Sequence, residues 1–396
     1  MSGVGDEMPS PDELADAFHV EAVSRDGETV RYLGQPLGRP AAVVERLRPA
    51  FERRGYSLRL ERQGTESGTG PLVDGRPVPS GPAGQYALVA EPDATGSSVP
   101  WLNVLLLLAT VASTMYVGAS GWYYIPVTEA PLRVFEAWPF VVAMLGVLGI
   151  HELGHYVAAR YHGVDVTLPY FIPFPSLLGT MGAVINIRGR IPSRRALFDI
   201  GVAGPLAGLV ATVVVTAIGL MLDPITVPER VREGGASFAI SFNDPLLLQG
   251  IEAAVRALGL GVEYGPTEAV HPVVFAGWAG MFFTFLNLLP VGQLDGGHIV
   301  RAIVGRRQET IAAAVPGGLF ALAGFIYFTQ EAPPVGFGVW TLWLFWGLLA
   351  AGLAYVGPAT PTVDEPLGGR RRLLGVVTFA LGLACFTPIP FEIVAA

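Results

Sequence analysis

Apolar residues gather into seven long runs, at 101–122, 139–159, 197–222, 272–293, 311–329, 336–357 and 371–388. At roughly 1.5 Å per residue, each is long enough to cross a bilayer as a helix. Ahead of them the pattern changes. Phe18–Ala22 and Glu28–Tyr32 read as strands joined through Arg25-Asp26-Gly27, and an Asp-Gly pair favours a tight hairpin turn. Pro40-Ala41-Ala42 opens a helix to about Arg54, with Val43, Val44, Leu47 and Phe51 on one face and Gly55 as its stop. Tyr56–Leu60 and Gln85–Ala90 read as further strands, separated by a Gly/Pro/Ser loop, Gly64–Gly84. The run Leu168–Ile187 is apolar but broken by Pro169, Pro173, Pro175, Gly179 and Gly182. Its alternating end, Thr180–Ile187, reads as a strand beside the membrane helices, with an ordinary packed loop as the alternative.

The pattern therefore predicts a polytopic α-helical membrane protein with a membrane-associated β segment and a small α+β N-terminal soluble domain. Residues 1–16, acidic and Pro-containing, read as a disordered tail. The soluble domain takes 17–97, a membrane core 98–310, and additional transmembrane helices 311–396.

Composition sharpens this. Charged residues make up 15% of the chain, against roughly 25% in soluble domains. The single Cys385 excludes an intrachain disulfide and any Cys-rich metal site. No lysine occurs, so all 25 basic residues are arginine. A net charge of -8 argues against a nucleic-acid partner. No basic-then-apolar signal peptide opens the chain, and the run from Trp101 reads as a retained span. Three arginine clusters fall on one side of the alternating spans: Arg160 with Arg188, Arg190, Arg194 and Arg195, then Arg301 with Arg306 and Arg307, then Arg370–Arg372. The excess of arginine in loops predicts a multi-pass protein of the cell membrane with its N-terminal domain cytoplasmic.

The second run carries Ile150-His151-Glu152-Leu153-Gly154-His155. Ionisable groups at membrane depth are costly and mark function by default. Residues four apart share a helix face, so His151 and His155 can hold one metal ion, with Glu152 placed to act on its water. The bland alternative is two interior histidines bonded to neighbouring helices. A catalytic zinc site takes three protein ligands and a water. The fourth run ends Asn287-Leu288-Leu289-Pro290-Val291-Gly292-Gln293-Leu294-Asp295-Gly296-Gly297-His298 and reaches the same side as His155. Asp295 can complete the set, and its charge is tolerable beside a metal. His298 is the rival ligand, ranked second. Asn287 could hold a substrate backbone or an oxyanion, or merely join helices. His271 lies at the opposite boundary and is excluded.

His151-Glu152-Leu153-Gly154-His155, with Asn287-Leu288-Leu289-Pro290 and Asp295-Gly296, resembles the site-2 protease family of intramembrane zinc metalloproteases. The similarity extends through Gly201–Gly208 and covers roughly residues 100–310; NLLPVGQLDGG is closest to the chloroplast and archaeal subgroup with a soluble N-terminal domain. The resemblance implies that His151, His155 and Asp295 bind Zn2+, that Glu152 activates water, and that Asn287 positions the scissile peptide. It implies transmembrane proteins as substrates and a β segment beside the site. The lipid bilayer is the other partner. Gly201–Gly208 reads as packing between the motif helices, with a homo-oligomer seam as its lesser reading. A divalent-cation transporter or metal-binding membrane protein is the alternative function.

Overall fold

An Asp-Gly turn closes the first hairpin of the computed structural model. Strands β1 (Phe18–Asp26) and β2 (Thr29–Pro36) pair antiparallel with Asp26 opposite Thr29, and Gly27 adopts a left-handed φ of 58°. The structure describes residues 8–27, 29–38, 40–62, 72–73, 76–77, 86–92, 100–188, 191–232, 239–330, 338–362 and 365–394. It divides into two units, Met1–Pro100 and Trp101–Ala396.

In the first unit, helix α1 (Pro11–Leu14) precedes the hairpin, and α2 (Pro40–Glu52) and β3 (Tyr56–Arg62) follow it. The Gly64–Gly84 loop lies outside the described residues, apart from a short pairing of β4 (Leu72–Val73) with β5 (Arg76–Pro77). Strand β6 (Tyr86–Pro92) completes an antiparallel sheet ordered β1-β2-β6-β3. The helix face expected from periodicity is the buried one: Val43, Leu47 and Phe51 share a core with Phe18, Tyr32, Leu58 and Leu88. Residues 8–16 correct the expectation of a disordered tail. Ser10 and Glu13 form a capping box on α1, Leu14 is fully buried, and the Tyr32 hydroxyl donates to the Pro9 carbonyl at 2.7 Å. Proline and acidic residues suit a helix start as well as disorder, which is why composition misreads them.

The second unit begins with α3 (Trp101–Val117), continued by a π turn, Gly118–Trp122. Tight turns at Pro131–Ala137 lead into α4 (Trp138–Tyr161). Strands β7 (Tyr170–Pro173) and β8 (Thr180–Val184) form a bulged hairpin inside the segment expected to be non-helical. Side chains of α3 and its π turn satisfy its backbone: Asn103 Nδ2 donates to the Leu168 and Pro169 carbonyls at 3.0 Å each, and Trp122 Nε1 to Leu177 at 2.8 Å. Such bonds are the condition for irregular backbone at membrane depth.

Helix α5 (Arg194–Gly219) follows, capped by the Ser193 side chain. The next connection holds β9 (Ile225–Thr226), α6 (Glu229–Arg232), β10 (Ala239–Phe242), α7 (Leu246–Ala257) and β11 (Glu268–Ala269). Then come α8 (Pro272–Asn287), α9 (Asp295–Val304), α10 (Gln308–Thr329), α11 (Val339–Val356), α12 (Gly369–Ala384) and β12 (Phe391–Val394), which pairs with β10.

Among the described residues, five helical segments are long and apolar enough to cross a membrane: Trp101–Trp122, Pro131–Tyr161, Arg194–Gly219, Asp295–Thr329 and Val339–Val356. The two remaining runs give shorter helices. The run 272–293 stops being helical at Asn287, sixteen residues in, because proline and glycine turns follow. Helix α12 is also sixteen residues long and spends its first turn on Arg370, Arg371 and Arg372. Arginine-bearing ends gather together: Arg371 bonds Asp199 on α5, and Arg194 Nε donates to the Ala302 carbonyl at the end of α9.

Candidate metal centre

Helix α4 places His151 and His155 on one face, one turn apart, and buries both. Their Nε2 atoms lie 3.2 Å from each other. Asp295, the first residue of α9, brings Oδ2 to 3.2 Å from His151 Nε2 and Oδ1 to 3.1 Å from His155 Nε2. Zinc bonds of about 2.0–2.1 Å in a tetrahedron imply ligand separations of roughly 3.3 Å. The three separations sit close to that value, and two imidazoles with one carboxylate are an ordinary zinc donor set. Among the described residues, His151, His155 and Asp295 form a group able to hold a metal ion.

The surroundings orient these ligands. His155 Nδ1–H donates to the Ile200 carbonyl of α5 at 2.8 Å, which leaves the Nε2 lone pair free for a metal. Helix α5 comes this close because Gly154 faces it; a methyl there would sit 2.5 Å from the Ala203 carbonyl oxygen. A methyl on Gly204 would overlap the His155 ring, and one on Gly208 would stand 2.9 Å from His151 Nδ1. Gly201, on the same helix, faces His298 and Ile299 of α9. The glycine run thus packs α5 between the two ligand-bearing helices.

Asp295 owes its place to the broken segment before it. After Asn287 the chain turns through Leu288–Leu294, with Gly292 at φ 51°. Gly296 and Gly297 allow α9 to start against the carbonyls of Leu288 and Gly292, where any side chain would overlap backbone. A carboxylate at a helix N-terminus also suits the helix dipole.

Glu152 is 8% exposed, and the backbone N–H of Ile185, just past β8, is a neighbour of its carboxyl. Asn287 Nδ2 stands 3.4 Å from His151 Nε2, so the end of α8 reaches the cluster. His298 lies one turn beyond Asp295, outside the ligand group, with a buried Nδ1 that has no hydrogen-bond partner among the described residues. His271 caps the far end of α8, its Nδ1 accepting from Val273 N–H and its Nε2 lying 3.3 Å from the Tyr123 hydroxyl. Sequence reasoning missed the Ile200 carbonyl and the individual roles of Gly204 and Gly208. Their signal was present: two glycines four apart on α5 match two histidines four apart on α4.

The sequence profile described as Peptidase family M50 matches residues 139–327, a stretch that contains every residue of this cluster. This central region is similar to peptidase family M50. It is 35% identical over 236 residues to "Probable zinc metalloprotease EGY1, chloroplastic" of Arabidopsis thaliana, covering 55% of this chain and 42% of that protein. The Oryza sativa subsp. japonica protein of the same name is 29% identical over 399 residues, covering 92% and 63%. "Probable zinc metallopeptidase EGY3, chloroplastic" of Arabidopsis thaliana is 29% identical over 309 residues, covering 74% and 50%. The chain spans less than two thirds of the length of each of these relatives. The M50 match bears out the resemblance to site-2 proteases. The cell-membrane location is corrected, together with the cytoplasmic placement of the N-terminal domain. The matched relatives are named chloroplastic. Arginine asymmetry orients spans without saying which membrane they cross.

Proposed function

We propose that this chain hydrolyses peptide bonds within the transmembrane segments of other membrane proteins. The buried His151–His155–Asp295 cluster carries the reading. Bound zinc would supply an acidified water and polarise the scissile carbonyl. His151, His155 and Asp295 would hold that ion. Glu152 takes a proton from the attacking water and returns it to the leaving nitrogen, so protons balance over the cycle. The Ile185 N–H beside the Glu152 carboxyl favours its ionised, proton-accepting form. Asn287, beside His151, donates to the carbonyl oxygen as charge builds on it.

A helical substrate hides its carbonyls, so it must unwind locally before attack. The described residues show no third strand on the β7–β8 hairpin. An unwound segment that adds to the β8 edge would exchange helical hydrogen bonds for strand ones. This accounts for a short strand beside the general base.

The test compares wild type with Glu152→Gln, measuring bound zinc and cleavage of single-span membrane proteins. Equal zinc with at least about a hundredfold lower turnover in Glu152→Gln supports hydrolysis. Equal cleavage by both removes Glu152 as the base. Metal flux across vesicles that survives in Glu152→Asp, with no cleavage by wild type, favours the transporter alternative.

A further inference from the structure

Asp199 and Ile200 are consecutive on α5, and each meets a histidine: Ile200 meets His155 of α4, and Asp199 meets His162, the C-cap of that helix. His155 Nδ1 donates to the Ile200 carbonyl at 2.8 Å, and His162 Nε2, two turns further along, lies 3.0 Å from Asp199 Oδ2. A third helix closes on the same carboxylate. Arg371 of α12 places Nε 2.8 Å from Asp199 Oδ1 and Nη2 2.9 Å from Oδ2. This two-pronged geometry suits guanidinium and is unavailable to an ammonium. One turn on, Gly375 packs against Phe198 of α5 and against Ile299 and Ile303 of α9. So α12 touches both the helix that orients His155 and the helix that begins with Asp295. Arg371 lies beyond the end of the M50 match at residue 327.

We propose that Arg371 is a positioning residue for the metal centre. It clamps Asp199 between α12 and His162, which fixes the α4–α5 register and holds the Ile200 carbonyl against His155. Metal bonds tolerate errors of only about 0.2 Å. A small slide between α4 and α5 therefore weakens the site before it unfolds anything. The Arg371 side chain is 40% exposed. A pair so open to solvent adds little to global stability, so its effect is read at the metal. The inference rests on the zinc reading above and deepens it.

The experiment uses the full chain, zinc-loaded in detergent micelles, as wild type, Arg371→Gln and Arg371→Lys. Four quantities are measured: the rate of zinc release into a chelator, the thermal midpoint of the metal-free protein, and kcat and KM on a single-span substrate. Arg371→Gln is expected to release zinc about tenfold faster and to lower kcat, with KM within about twofold and the metal-free midpoint unchanged. Arg371→Lys, which keeps the charge without the fork, falls between the two. Zinc release by Arg371→Gln at the wild-type rate overturns the clamp. So does faster release that comes with an equal loss of metal-free stability. If Arg371→Gln does not fold, release by Arg371→Lys decides alone: a faster rate supports the clamp and an equal one overturns it. Wild type that retains no zinc overturns the metal reading itself, an outcome separate from the others.

Discussion

Replacing Gly204 with alanine adds one methyl group, and the structure says where it goes. The new Cβ overlaps His155 Nε2, the atom that faces the other two ligands, and crowds both neighbouring ring carbons. Ordinary contact is roughly 3.5 Å, so the ring must retreat by about 1 Å or more, or α5 must move away from α4. Either route breaks a zinc bond or the hydrogen bond to Ile200. A misplacement near 1 Å costs about a hundredfold in rate. Helix propensity works the other way, since alanine favours a helix over glycine by about 0.5–1 kcal/mol. Gly204→Ala should therefore lose metal without losing the fold. A graded series checks the reasoning. At Gly208 the methyl would stand 2.9 Å from His151 Nδ1, and at Gly201 3.2 Å from the nearest Ile299 side-chain atom. Zinc content and competitive chelator titration should rank Gly204→Ala as most damaging, Gly208→Ala next and Gly201→Ala mildest. Gly317→Ala on α10, with nothing within 4 Å, serves as the neutral control. Wild-type zinc affinity in Gly204→Ala would refute the close packing of α5 on the histidines.

Other substitutions separate the remaining parts. Asn287→Ala should keep zinc and lower kcat by about a hundred- to a thousandfold with little change in KM, as for loss of one oxyanion donor; a change confined to KM would reassign Asn287 to substrate binding. His271 caps α8 through an unprotonated Nδ1, and burial holds its imidazole below the ordinary range. Its folded pKa thus lies below the unfolded one, the unfolded chain binds more protons, and stability falls as pH drops through about 6.5. Thermal midpoints at several pH values should show this fall in wild type and a flatter profile in His271→Asn, which caps without titrating; identical profiles would remove the cap from the account. Leu14→Ala should destabilise the N-terminal unit by about 2–5 kcal/mol, followed as faster proteolysis of that unit, because Leu14 is fully buried.

The ligand set was legible because charge at membrane depth is rare. Once His151 and His155 were placed in an apolar run, few other groups could join them. Asp295 was also accessible, since Pro290 and Gly292 announce a break that brings the next helix start inward. The strands and α2 of the soluble unit followed from alternation and from the Asp-Gly turn. Three things did not follow. The lengths of α8 and α12 were overestimated, because an apolar run continues through a backbone break that hydropathy cannot register. Ordering of residues 8–16 depends on Tyr32 reaching Pro9 and on a core that accepts Leu14, both tertiary facts. The Asp199–Arg371 pair joins residues far apart in the chain, and nothing local marks either as a partner for the other.

The break that places Asp295 also creates a problem that the later helices solve. Ending α8 at Asn287 leaves carbonyls and apolar side chains of the turn without a helical partner. Leu289 and Val291 are buried by Leu319, Ala323 and Ile326 of α10 and by Trp343 and Ala350 of α11. Gln308 Nε2 donates to the Pro290 carbonyl at 3.5 Å, and Gly292 sits against the backbone of Leu353. Any side chain at Gly292 would collide with α11, so the turn and that helix fit only one another. Helices α10 and α11, though they carry no ligand, therefore complete the packing around the turn that leads into Asp295. A helix that stops in mid-membrane needs such a backing, because the bilayer offers no water to its open end.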